Sequence, residues 1–172
     1  MVRPRAVVVA TVLATASLGG WWIGRHDPGA LADPTVPGSV RFAAVVTRAV
    51  DGDTVRVRTA RGTETIRLLG VNTPETHHPT KGVECFGPEA AAFTARRLTG
   101  RAVTLELDVE HRDAYGRLLA YLEVGGARFN DMLLRRGYAR LLVIPPNGSH
   151  GMTMLREMLG ARRAHRGLWG AC

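Results

Sequence analysis

The stretch TVRVRTARGTETIRLLGVNTPET, Thr54 to Thr76, decides the reading of the fold. Thr54 to Thr59 alternates, with Val55 and Val57 on one side and Arg56 and Arg58 on the other, the pattern of a half-buried strand. Arg61-Gly62 turns the chain into a second strand, Thr63 to Leu69. That strand carries an arginine, Arg67, inside an apolar run, and Asn72 and Glu75 follow in a loop from Gly70 to Gly87. Polar side chains at a strand end and in the loop beyond it mark a place where function usually sits.

The flanking sequence completes a scaffold. Arg41 to Val50 reads as a strand stopped by the Asp51-Gly52 turn. Pro88 opens a helix, PEAAAFTARRLTG, at its preferred first position, and Gly100 ends it. Val103, Leu105, Leu107 and Val109 share one face of a fourth strand. After a loop from Asp113 to Arg117 comes a fifth, Leu118 to Val124, followed by a Gly125-Gly126 turn. Asn130 is placed to cap a short helix, DMLLRR, that stops at Gly137. Met152 to Arg166 forms an amphipathic helix, with Leu155, Met158 and Leu159 on its apolar side. Three strands, a helix, two strands and two helices, without internal repeats, predict an α+β, mainly β, fold: a five-stranded OB-type Greek-key barrel packed with three helices.

Length and composition set outer bounds. The 172 residues suit one domain with a modest core plus an extra segment. The net charge of +8 is carried almost wholly by arginine, Lys81 being the only lysine. The choice of Arg over Lys reads as a base-composition bias, but the positive excess itself favours anionic partners, nucleic acid or an anionic membrane or wall surface. Arg3 and Arg5 precede an apolar run, Ala6 to Gly24, as in an export signal. Small-residue patterns at Ala14-Thr15-Ala16 and Ala30-Leu31-Ala32 offer cleavage points, with the second favoured. The run is also close to bilayer length, with Trp21 and Trp22 at interface depth, so a retained N-terminal membrane anchor stays open. Residues 1–32 are therefore a signal peptide or anchor, 33–39 a Pro- and Gly-bearing linker, and 40–172 the domain, located outside the cytoplasm. Cys85 and Cys172 lack metal-like spacing, and in an oxidising compartment a bridge between them is expected. A monomer is expected.

Three polar clusters interrupt the scaffold: VDGDT (Val50 to Thr54), the Arg67–Glu75 stretch, and DAYGRLLAY (Asp113 to Tyr121). Taken singly each has a plain structural reading, as a turn, a sheet-edge charge and a surface ion pair. Together they supply what phosphodiester cleavage requires. Two arginines offer rigid forks of donors for the non-bridging oxygens. Oxygen ligands suit a hard cation, and a carboxylate can orient or deprotonate water. His77 and His78, the Arg96/Arg97/Arg101 group and the Arg162/Arg163/Arg166 group read as solvated residues, and Trp169 as packing.

The blocks VVTRAVDGDTVRV, IRLLGVNTPET, KGVECFGPEAAAF, DAYGRLLAY and FNDMLLRRGYAR, in this order and spacing, make the chain resemble the staphylococcal nuclease (thermonuclease) family from about Val40 to Trp169. The resemblance implies an OB barrel and calcium-dependent hydrolysis of DNA and RNA that leaves 3′-phosphate ends. It places Asp53 and Thr73 as calcium ligands, Thr73 through its carbonyl, and Asp51 as an acid beside the metal but one contact removed. It makes Glu75 the general base and Arg67 and Arg117 the phosphate clamp. Lys81 falls in a loop that contacts the nucleic-acid backbone, and Tyr115 near the bound phosphate. Asn72 departs from the family by standing where a second calcium-binding Asp is usual; its carbonyl can still ligate, so weaker calcium binding with intact chemistry is expected. Val143 and Pro145 stand where tyrosines pack on the base, and Ala114 where a Lys contacts phosphate, so base stacking is expected to be lost. The rival reading is a non-catalytic nucleic-acid-binding OB module, and a third is a wall-associated basic protein.

Overall fold

The computed structural model describes residues 39–76 and 82–172, so the expected signal or anchor and most of the linker, together with His77, His78 and Lys81, lie outside the described residues. The chain forms β1 (Arg41–Ala49), β2 (Thr54–Thr59), β3 (Gly62–Leu68), β4 (Gly70–Asn72), α1 (Gly87–Leu98), β5 (Ala102–Arg112), β6 (Leu118–Val124), β7 (Ala127–Arg128), α2 (Phe129–Arg135), β8 (Arg140–Leu142), α3 (Gly151–Arg163) and a terminal turn of helix α4 (Leu168–Ala171). The main sheet runs β3-β2-β1-β5-β6-β7, and a parallel pairing of β3 with β6 closes the first five into a barrel. The five-stranded OB-type barrel with three helices is thus observed. The additions are a two-residue edge strand, the β4–β8 ribbon and α4.

Alternation explains the closure. Val55, Val57, Ile66 and Leu68 point inward from β2 and β3, and Leu105, Ala120 and Leu122 meet them from β5 and β6. Each such fully buried Leu or Ile contributes roughly 1.5–3 kcal/mol relative to exposure. Phe93 of α1 stacks on Phe129 at 5.8 Å and on Tyr138 at 4.3 Å, which docks α1 against α2.

Three local expectations change. Asn130 does not cap α2; it lies inside the helix, where its Oδ1 accepts from Leu122 N (2.9 Å) and its Nδ2 donates to Leu69 O (2.8 Å). The expected apolar side of α3 is rotated: Met154 and Ala161 are the buried residues, whereas Leu155, Met158 and Leu159 are partly exposed. Met154 packs over Gly70, whose φ of +73° and lack of Cβ allow that approach. In β5 the alternation fails at Val109, which is 69% exposed. A register shift between Leu107 and Arg112 turns Asp108 inward instead. Burial alone would raise the Asp108 pKa, but bonds from Ser149, Tyr121 and Val109 outweigh it and hold the carboxyl below its ordinary value.

A disulfide joins Cys85, just before α1, to Cys172 at the chain end, with Cα atoms 6.1 Å apart and a sequence separation of 87. A cross-link over so long a loop removes much unfolded-state entropy. The double substitution Cys85→Ser/Cys172→Ser is expected to lower unfolding free energy by about 2–4 kcal/mol in urea titration. An unchanged midpoint would show that the bridge adds nothing.

Candidate active site

The Asp51-Gly52-Asp53 turn between β1 and β2 is tight, because Val50 N and Asp51 N both donate to Thr54 O. Asp51 Oδ1 accepts from Gly52 N (2.8 Å) and from the Thr76 hydroxyl (3.1 Å). Asp53 is only 4% exposed. Its Oδ1 accepts from Thr54 Oγ1, its Oδ2 accepts from Thr73 N at 2.9 Å, and the same Oδ2 faces Arg67 Nη2 at 3.1 Å. Two residues behind the turn hold it. Thr94 of α1 donates its hydroxyl to Gly52 O at 2.6 Å, and a Cβ at Gly52 would come within 2.7 Å of Thr73 Oγ1.

Arg67 ends β3, where register sets it opposite Thr54 of β2 and beside Leu119 of β6. Its Nη1 donates to Leu68 O (2.7 Å) and Val71 O (2.8 Å), and its Nη2 donates to Asn72 Oδ1 (3.2 Å). The guanidinium is therefore fixed by the very loop that follows it. Arg117 is fixed differently: Asp113 accepts from its Nε (2.7 Å) and its backbone N (2.9 Å), and from Tyr115 N (3.0 Å). Burial would raise the Asp113 pKa, but the bonds and charge of Arg117 lower it. Among the described residues no hydrogen bond engages either Nη of Arg117, which leaves its fork available.

Glu75 is positioned by a two-way clasp, donating its N–H to Glu84 Oε2 (3.1 Å) and accepting from Glu84 N (2.9 Å). Its carboxyl is pushed up to about 7, first by burial, then by the hydrogen bond and charge of Asp51 and the charge of Asp53, against the pull of Arg67. Asp51, Asp53, Thr54, Arg67, Glu75 and Arg117 line one open cleft of about 560 Å³. A second cleft of about 410 Å³ shares Arg67 and Arg117 and is walled by Tyr115, Ala114, Leu142, Ile144 and Asn147.

The structure thus brings together Asp51, Asp53, Arg67, Glu75 and Arg117. Asn72 and Thr73 stand behind them, joined through Arg67 and Asp53. Tyr115 is 85% exposed on the second cleft, with the Arg117 guanidinium 5.4 Å from its ring centroid. Lys81 lies outside the described residues. From the segment that holds Val143 and Pro145, it is Leu142 and Ile144 that line the second cleft, while Val143 faces Gly148 and Gly151 near the start of α3. Sequence reasoning missed Thr94 and Glu84 as supports. Thr94 sits in α1, 42 residues from Gly52, and Glu84 just before that helix, nine residues from Glu75, and nothing in their local pattern signals the contact.

The donor set suits a hard cation. Asp51, Asp53, Glu75, the Asn72 carboxamide and Thr73, whose buried Oγ1 has no partner, are all oxygen donors of the kind hard cations take. Among the described residues no group of three or more His, Cys, Asp or Glu side chains is arranged to hold a metal ion. In donor chemistry, all hard oxygens, the residues present fit calcium.

With this geometry in place, comparison with known proteins is informative. The family model described as staphylococcal nuclease homologue matches residues 65–171. The chain is 38% identical over 125 residues to the thermonuclease of Staphylococcus intermedius, covering 73% of this chain and 74% of that protein. It is 37% identical over 124 residues to the thermonuclease of Staphylococcus hyicus, covering 72% and 73%. It is also 40% identical over 102 residues to endonuclease YncB of Bacillus subtilis, covering 58% and 48%.

The supports behind the turn generate a test. Gly52→Ala, which must displace Thr73, and Thr94→Val, which strips Gly52 O of its donor, are each expected to lower stability by about 1–3 kcal/mol in urea unfolding. Wild-type stability in both would show that the turn does not depend on them.

Proposed function

The chain belongs to the staphylococcal nuclease family and is a nuclease, and on that premise we propose that it is an exported, calcium-dependent enzyme. In this reading it hydrolyses phosphodiester bonds of DNA and/or RNA and leaves 3′-phosphate ends. The observation that carries it is the convergence of Arg67, Arg117 and Glu75 on one cleft beside Asp51 and Asp53. Arg67 and the open fork of Arg117 hold the non-bridging oxygens of the scissile phosphate, where negative charge grows in the transition state. Glu75 accepts a proton from the attacking water, whose oxygen bonds to phosphorus while the bond to the 5′ oxygen breaks. The departing 5′ oxygen takes a proton from solvent. Asp53, Asn72 and Thr73, with Asp51 alongside, would hold calcium, which would supply Lewis-acid stabilisation of the phosphate. Tyr115 contacts the nucleic acid near this phosphate, and Lys81 contacts its backbone. The rival reading, a non-catalytic binding module, leaves the complete set of clamp, base and metal-side acids without a purpose.

The Cys85–Cys172 bridge and the N-terminal segment, residues 1–32, support export, since disulfides persist in oxidising compartments. Among the described residues no helix is long and apolar enough to cross a membrane. The domain acts as a monomer, residues 40–172 containing the whole site.

Purified protein is expected to degrade denatured DNA with calcium and to stop on chelation. Glu75→Gln and Arg117→Ala should each reduce kcat by about 100-fold or more with the fold intact by circular dichroism. Turnover near wild type in either would remove the assigned roles. Asn72→Asp adds a charge to the metal side and should lower the calcium concentration for half-maximal activity, and should tighten calcium binding in calorimetry; an unchanged titration would take Asn72 out of the ligand set.

A further inference from the structure

We propose that the outer face of β1 and β2 is a second contact surface for the substrate strand, on which Arg48, Arg56 and Arg58, continued by Arg61 in the next turn, hold phosphates beyond the bond being cleaved. The proposal rests on the nuclease reading for its occupant.

The surface begins in the sequence. Alternation in TVRVRT turns Val55 and Val57 into the core and Arg56 and Arg58 outward, and both arginines are exposed. On β1, plain alternation would not put Arg48 beside them. A register shift between Val46 and Arg48 does so: Val46 pairs with Val57, and Arg48 then falls directly opposite Arg56. The extra residue, Thr47, is exposed as well, and its hydroxyl donates to Arg56 O at 3.0 Å, which fixes the bulge. Bulges beside active sites commonly re-aim a side chain in this way.

Stability does not explain the result. Like charges directly opposed across an antiparallel pair are destabilising. The cross-strand neighbours of Arg56 and Arg58 on β3 are Thr65 and Thr63, not acids. No ion pair among the described residues engages Arg48, Arg56, Arg58 or Arg61, whereas Arg41, Arg112, Arg117 and Arg128 each have a carboxylate partner. Three to four cations held side by side without counter-charges fit a polyanion.

Position selects which polyanion. β1 and β2 are the two strands that enter the Asp51–Asp53 turn, and Val50, Asp51, Asp53 and Thr54 line the catalytic cleft. The arginine row therefore starts at the lip of that cleft and leads away from it. Same-face residues on a strand are about 7 Å apart, and β2 from Thr54 to Thr59 spans roughly 17 Å, with Arg61 in the turn just beyond. That row can follow the backbone of an extended single strand over several nucleotides. A strand seated in the second cleft, clamped at Arg67 and Arg117, would leave across this face.

The test uses the full chain and the variant Arg48→Gln/Arg56→Gln/Arg58→Gln. Hydrolysis of a long single-stranded DNA is compared with that of a trinucleotide, across a salt series with calcium. Equilibrium binding of the same DNA is measured with a chelator present. Removing three phosphate contacts should lower kcat/KM on the long DNA about tenfold at low salt, and should flatten its dependence on log salt by about 2. Trinucleotide turnover should hold, and Arg48→Lys/Arg56→Lys/Arg58→Lys should keep the steep salt dependence, since point charges suffice. Equal losses on both substrates, or an unchanged salt slope, would overturn the proposal. So would loss of binding to phosphatidylglycerol vesicles with DNA binding unaltered, which would assign the face to a lipid surface. If the unaltered chain hydrolyses neither substrate, the nuclease reading fails by itself, and the binding arm still decides: a flattened slope sustains the surface, and an unaltered or absent one ends it.

Discussion

The buried pairing of Asp53 with Arg67 is the contact on which the rest of the site depends. A carboxylate that is 4% exposed would be strongly disfavoured without a counter-charge, and here Arg67 Nη2 lies 3.1 Å away. Such pairs stabilise only when their remaining donors and acceptors are satisfied. Thr54 and Thr73 complete Asp53, while Leu68 O, Val71 O and Asn72 complete Arg67. One ion pair thereby ties the β1–β2 turn, the end of β3 and the loop carrying Glu75 into a single rigid unit. Removing one partner of a buried pair generally costs about 3–5 kcal/mol, because the other charge is stranded.

Barrel closure brings the second half of the site to that unit. The parallel pairing of Ile66 with Leu118 and of Arg67 with Leu119 sets Arg117, at the entrance of β6, beside the end of β3. Arg67 is held by carbonyls and Asp53, and Arg117 by Asp113 alone. The first is therefore the fixed member of the arginine pair that lines the cleft, and the second keeps its terminal donors open. The same contrast separates the structural arginines, each with its carboxylate, from the unpaired row on β1 and β2.

Much of this was legible in the sequence because period-two alternation and Gly or Pro punctuation are local signals. The five strands, α1 opening near Pro88, and the polar stretches at strand ends were all readable in this way. The misreadings have a common cause. Asn130 looks like a cap until its amide meets Leu69 O and Leu122 N, which come from other elements. Val109 follows alternation until a register shift in β5 turns it outward. Met154 becomes the buried face of α3 because Gly70 gives it room.

The sequence by itself determined the five barrel strands and the three main helices, the family and the identities of the groups brought to the cleft, since these follow from periodicity, turn chemistry and an ordered set of motifs. Tertiary structure alone decided which polar groups are spent on each other and which stay open. Arg67 and Asn72 share a hydrogen bond, Glu75 is crowded by Asp51 and Asp53, and the Nη groups of Arg117 remain free of hydrogen bonds to the described residues. Those outcomes depend on distances between residues far apart in the chain, fixed only when β3 meets β6 and the barrel closes.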